Sequence, residues 1–96
     1  MMRKNLNKFP TFLKLKKDKR IWIVTKVTST SEKCVLITGT FVRKEREFLR
    51  IRDAIVSKPL TQNQAITLAA EENENFDVMA NFDEMLIDRS MVAFVA

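Results

Sequence analysis

Two stretches decide the fold class: Ile21-Trp22-Ile23-Val24-Thr25-Lys26-Val27 and Cys34-Val35-Leu36-Ile37-Thr38-Gly39-Thr40-Phe41-Val42. Both are rich in β-branched and aromatic side chains, which fit a pleated, half-buried surface. In the first, Ile21, Ile23 and Val27 fall on one face and Trp22, Val24 and Lys26 on the other. Thr28 to Lys33 is a polar turn cluster, so the two stretches read as a hairpin. Gly39 is the only glycine of the chain and lies inside the second strand. A missing Cβ at such a place marks a bend, a bulge or a close backbone approach, and a bend fits best.

Working outward, Arg43 to Glu47 reads as a charged connector. Phe48-Leu49-Arg50-Ile51-Arg52 then alternates, with Leu49 and Ile51 on one face and Phe48, Arg50 and Arg52 on the other. A helix over Val42 to Val56 is the rival reading, but it would set Leu49 and Ile51 nearly opposite each other, and the strand is preferred. On the N-terminal side, residues 1–11 are a basic extension, and Phe12 to Lys16 is either an edge strand or the last turn of a helix. Beyond Pro59, Ala65 to Ala69 is a short strand or helix and Glu71 to Asn75 an acidic loop. Met85-Leu86-Ile87 and Met91 to Val95 suit two strands joined by a tight turn or bend. The words Asn75-Phe76-Asp77 and Asn81-Phe82-Asp83 are too short to define a repeat architecture.

Ninety-six residues, 46% hydrophobic and 30% charged, make one domain, residues 1–96, with a modest core. The single cysteine, Cys34, permits no internal disulfide and reads as a small buried hydrophobe in a reducing compartment. No export signal and no apolar run long enough to cross a bilayer is present, so a cytoplasmic location is expected. Charge is unevenly placed. Residues 1–58 hold 16 Lys and Arg against 5 carboxylates, a net of +11, and residues 59–96 hold Arg89 against 7, a net of −6. The boundary falls at Ser57-Lys58-Pro59.

Gly39 in a bent strand, Leu49-Arg50-Ile51-Arg52-Asp53-Ala54-Ile55, and the closing stretch Leu86 to Val95 together resemble the Sm-like small β-barrel family, over about Arg20 to Ala96. The resemblance implies a β-dominated fold, a small SH3- or Sm-like barrel behind a basic N-terminal extension, with room for one short helix. It does not imply that family's uridine pocket. The aspartate and asparagine expected after the bent strand are replaced by Arg43-Lys44-Glu45-Arg46-Glu47, and the closing Arg-Gly pair is Arg89-Ser90.

The chain has no His, which removes histidine-based nucleophile systems and histidine-ligated metals, and one Gly cannot form a phosphate-cradling loop. Asp77, Asp83, Glu84 and Asp88 read as a solvated acidic face. No catalytic residue, metal site or cofactor is therefore assigned. The stronger pattern is basic and aromatic. Phe12, Lys14, Lys16, Trp22, Lys26, Phe48, Arg50 and Arg52 leave the faces opposite the aliphatic residues, and Arg43, Lys44 and Arg46 lie between them. Rings for base stacking interleaved with cations for phosphates are what single-stranded nucleic acid requires. Against this, large aromatics are usually buried, and Trp22 and Phe48 have a core role as their competing reading. The expectation is a non-enzymatic module binding RNA or single-stranded DNA. The alternative is a protein-interaction or regulatory subunit that docks, or forms a homo-oligomer, through its charge split. Attachment to an anionic membrane through Arg3 to Arg20 is the weaker third reading, since no strongly amphipathic helix is evident there.

Overall fold

A computed structural model describes residues 15–27 and 32–96. The fold is strand-dominated. In chain order it comprises β1 (Arg20–Thr25), β2 (Lys33–Cys34), β3 (Leu36–Glu45), β4 (Phe48–Ser57), β5 (Leu60–Thr61), α1 (Gln62–Ala70), β6 (Val78–Asp88), a 3₁₀ turn (Arg89–Met91) and β7 (Val92–Val95). Five strands form one antiparallel sheet in the order β6-β4-β3-β1-β7, and β2 and β5 form a two-stranded ladder. The last strand thus returns to pair with the first. The all-β expectation holds, but β6 and β7 are the two edges of the sheet and are joined by the 3₁₀ turn, not paired, so the expected barrel is not closed by hydrogen bonds there.

The two deciding stretches pair as expected, with Ile21 opposite Gly39 and Ile23 opposite Ile37. The second is interrupted at Val35, however. The Thr25 hydroxyl accepts the Val35 N–H at 3.0 Å, and Lys33–Cys34 turns away to pair with β5. The expected connector at Arg43 to Glu47 shrinks to Arg46 and Glu47, because β3 and β4 pair up to Glu45 and Phe48. Ala65 to Ala69 is helical. Thr61 caps α1 with its hydroxyl, which accepts the Gln64 N–H at 3.2 Å, while the Gln64 carboxamide accepts the Thr61 N–H at 3.1 Å. This reciprocal capping box fixes where the helix begins. Residues 12–14 of the doubtful N-terminal stretch lie outside the described residues.

The core lies on both sides of the sheet. On one face Ile21, Ile23, Ile37, Phe41, Leu49, Ile51, Ala54, Val56, Ile87 and Val92 form a single cluster. On the other, Trp22, Val24, Cys34 and Leu36 are covered by α1, which presents the small residues Ala65 and Ala69. Strand β4 serves the first cluster along its whole length only because its parity changes midway. Leu49 and Ile51 point inward, Asp53 adopts φ 52°, and Ala54 and Val56 point inward after it. Three further residues, Asp18, Arg46 and Glu72, have similarly positive φ, and none of the four is glycine.

The irregularity in β4 sits on Gly39. A Cβ built there would lie 2.9 Å from the Arg52 carbonyl oxygen and 3.2 Å from the Ala54 Cα. Both obstacles are backbone, so neither yields by rotating a side chain. Gly39→Ala is expected to destabilise the fold by about 1–3 kcal/mol, the range for overpacking a closely filled site. A urea midpoint equal to that of the unaltered chain would show that the strands can separate at this point without cost.

Candidate nucleic-acid interface

The candidate surface is built from two segments far apart in sequence. The Asp18 N–H donates to the Phe41 carbonyl and the Phe41 N–H to the Lys19 carbonyl, both at 2.8 Å. These bonds lay Lys16, Lys17 and Lys19 alongside the strand that carries Arg43 and Lys44. Arg46 follows in the turn, and Phe48, Arg50 and Arg52 occupy the outward positions of the first half of β4. Asp18 also meets Arg52, with Nη2 and Oδ1 3.3 Å apart.

Carboxylates thread this surface. Glu45 lies between two guanidinium groups: Arg43 donates from Nε at 2.9 Å, and Arg50 forms a two-pronged pair with the same carboxylate. Arg50 also donates from Nη1 to Glu84 on β6 at 2.5 Å. Hydrogen bonding from Arg50, then from Arg43, holds the Glu45 carboxyl at about 2, below its ordinary 4.5. Asp88 is lowered too, by the Ser90 N–H and hydroxyl that donate to it. Burial alone raises Cys34.

The structure keeps some of the sequence-predicted residues together and separates others. Lys16, Arg43, Arg46 and Arg52 are exposed on this surface, and Phe48 is 38% exposed among them, whereas Lys44, also exposed, pairs with the inward Leu49 and leaves the other face of β3. Arg50 is half-buried and engaged on both sides by Glu45 and Glu84. Trp22 must be removed from the set. It is 2% exposed, sealed beneath α1, and no base can stack on it. Its Nε1 is a buried donor without a hydrogen-bond partner among the described residues. Lys26 is exposed but sits at the opposite end of β1, where its N–H donates to the Met91 carbonyl. Lys14 lies outside the described residues.

Lys17 and Lys19 join the surface although strand parity did not select them; the run Lys16-Lys17-Asp18-Lys19-Arg20 was their signal. A second aromatic, Phe82 on β6, is 46% exposed and lines a small hollow of about 240 Å³ beside Asp53 and Ala54. Its position opposite Ala54 depends on the β4–β6 register, which local sequence does not reveal. A larger groove, beside α1, also escaped the sequence because three separate segments form it. Among the described residues no group of three or more Cys, Asp and Glu side chains is placed to hold a metal ion, and no helix is long and apolar enough to cross a membrane.

Comparison with known proteins yields no match: no family model matches the chain, and neither does any curated protein or solved structure.

Trp22 is the only tryptophan, which makes its burial measurable. Its fluorescence should be blue-shifted, shielded from iodide, and unchanged when an oligonucleotide saturates the protein. Emission typical of solvated indole would contradict its place under α1. Glu45 gives a second test. Because its folded-state value is depressed, its contribution to stability is complete above about 4.5 and is lost as pH falls toward about 2. Carboxyl-carbon NMR should place its midpoint near 2, and Arg50→Gln should move that midpoint back toward 4.5. An unaltered chain titrating near 4.5 would mean that the arginine pairs do not persist in solution.

Proposed function

We propose that the chain is a non-enzymatic binding module that holds single-stranded RNA or DNA across the surface formed by residues 16–19 and 43–52. The observation that carries this reading is the pair of backbone bonds between Asp18, Lys19 and Phe41, which adds three lysines to the β3–β4 cations. Together the two segments hold eight Lys and Arg against three carboxylates. The balance stays positive after the ion pairs are counted. Phe48 is an exposed ring on this surface available for stacking, worth about 1–3 kcal/mol per base. The Sm-like resemblance belongs to the same proposal. A strand, a Gly-bent strand, a third strand and a last strand returning to the first support it, while recognition of uridine is not included.

Binding of a labelled 15-nucleotide RNA and of the corresponding DNA, followed by anisotropy, tests the reading. Affinity should fall steeply with salt, as counterion release requires, with a logarithmic slope of about −0.7 for each phosphate neutralised. The variant Lys16→Gln/Lys17→Gln/Lys19→Gln should flatten that slope while leaving Trp22 fluorescence unaltered. No binding at low salt would overturn the proposal.

One observation favours the second reading, an interaction subunit. Strand β6 is an edge of eleven residues carrying exposed Val78, Met79, Phe82 and Leu86. An open edge of that length offers hydrogen-bonding groups to another strand. Light scattering that shows a stable assembly, from a protein without nucleic-acid affinity, would select this reading instead.

A further inference from the structure

A groove of about 600 Å³ lies between α1, the Lys58–Leu60 segment and the loop at Asn75–Asp77. Its volume falls within the usual range for ligand sites. None of the residues proposed to bind nucleic acid lines it.

The lining has two kinds of group. Leu60, Leu68 and Phe76 are partly buried against the Trp22 cluster and provide an apolar floor. Around them stand three primary carboxamides, on Asn63, Gln64 and Asn75. Gln64 accepts the Thr61 N–H through Oε1, and its NH₂ group makes no hydrogen bond among the described residues. The side-chain amides of Asn63 and Asn75 make no hydrogen bond to the protein among the described residues. A carboxamide offers a donor and an acceptor side by side, the complement of either a peptide group or a nucleobase edge.

Electrostatics separates these two ligands. The loop bordering the groove carries Glu71, Glu72, Glu74 and Asp77. Against them stand Lys58, and Arg20, which lies 3.9 Å from Glu74. A phosphate brought here meets net negative charge, whereas a cationic side chain is attracted. The geometry points to a peptide-binding groove that takes an extended, basic segment of a partner protein. Its apolar side chains rest on Leu60, Leu68 and Phe76. Its backbone bonds to the three carboxamides, and its cations face the acidic loop. This site is independent of the nucleic-acid surface and stands or falls separately.

A phage-displayed random decapeptide library panned against the intact chain provides the probe. Enriched peptides should carry Lys or Arg beside apolar residues. A synthetic copy of the strongest should shift backbone amide resonances of residues 58–77 in the ¹⁵N-labelled protein. Asn63→Arg and Asn75→Arg should each weaken that peptide at least about tenfold, a loss of about 1.4 kcal/mol, with Trp22 fluorescence unchanged, and Lys44→Gln should leave it unaffected. Failure to enrich any peptide, enrichment of acidic ones, or shifts confined to β6 would overturn the inference. So would adenosine monophosphate moving the groove amides while the peptides do not.

Discussion

The contact of Gly39 with the backbone of β4 is the constraint on which the rest of the structure depends. Two strands approach there so closely that no Cβ fits between them. At the same level Asp53 takes a left-handed conformation and β4 reverses the faces of its side chains. Without that reversal, Leu49 and Ile51 would enter the core while Ala54 and Val56 faced outward. With it, one ten-residue strand fills a curved interior from end to end. The β4–β6 ladder, which pairs Asp88 with Phe48, runs on into the 3₁₀ turn after β6 and ties that turn to the tip of the β3–β4 hairpin. The Arg89 N–H and guanidinium donate to the Glu47 and Arg46 carbonyls at 2.7 and 2.6 Å.

The charge split of the sequence has a different meaning once β6 is seen beside β4. The strongly basic and acidic parts are hydrogen-bonded neighbours in one sheet, with Arg52 opposite Glu84 and Arg50 bonded to it. Two ion pairs, Arg50–Glu84 and Arg20–Glu74, join the basic and acidic parts within the molecule. What survives is local: a positive surplus around residues 16–19 and the hairpin tip, and a negative one on the loop after α1. Partially exposed ion pairs of this kind add little to stability. Their larger effect is to fix which cations remain available to a partner.

The strands were legible because their periodicity was local. Leu49 to Ile51 declared its faces through alternation, and Ile21 to Val24 declared a strand through its β-branched and aromatic composition. Gly39 could be read as a bend because a lone glycine weakens a β-branched run unless the backbone there needs the missing Cβ. The change of parity at Asp53 was not legible, since aspartate in the left-handed region has no signature outside its context. Trp22 shows why a face assignment is not an exposure assignment. It does lie opposite Ile21 and Ile23, as alternation requires, but α1 covers that face as well. The candidate basic surface was half legible, through its cations. Its composition depended on which carboxylates the β4–β6 register would bring against them.

A chain with one glycine must make its turns from residues that resist them. Asp18 and Asp53 tolerate the left-handed region, because a short polar side chain can bond locally. Arg46 in the hairpin turn and Glu72 just beyond α1 lack that relief, at a cost of about 1–2 kcal/mol each. Glycine stands only where packing forbids every alternative, and is missing where conformation alone would favour it. Mutational tolerance is consequently uneven: the crossing of β3 and β4 has no slack, while the rim of the molecule holds unused thermal margin.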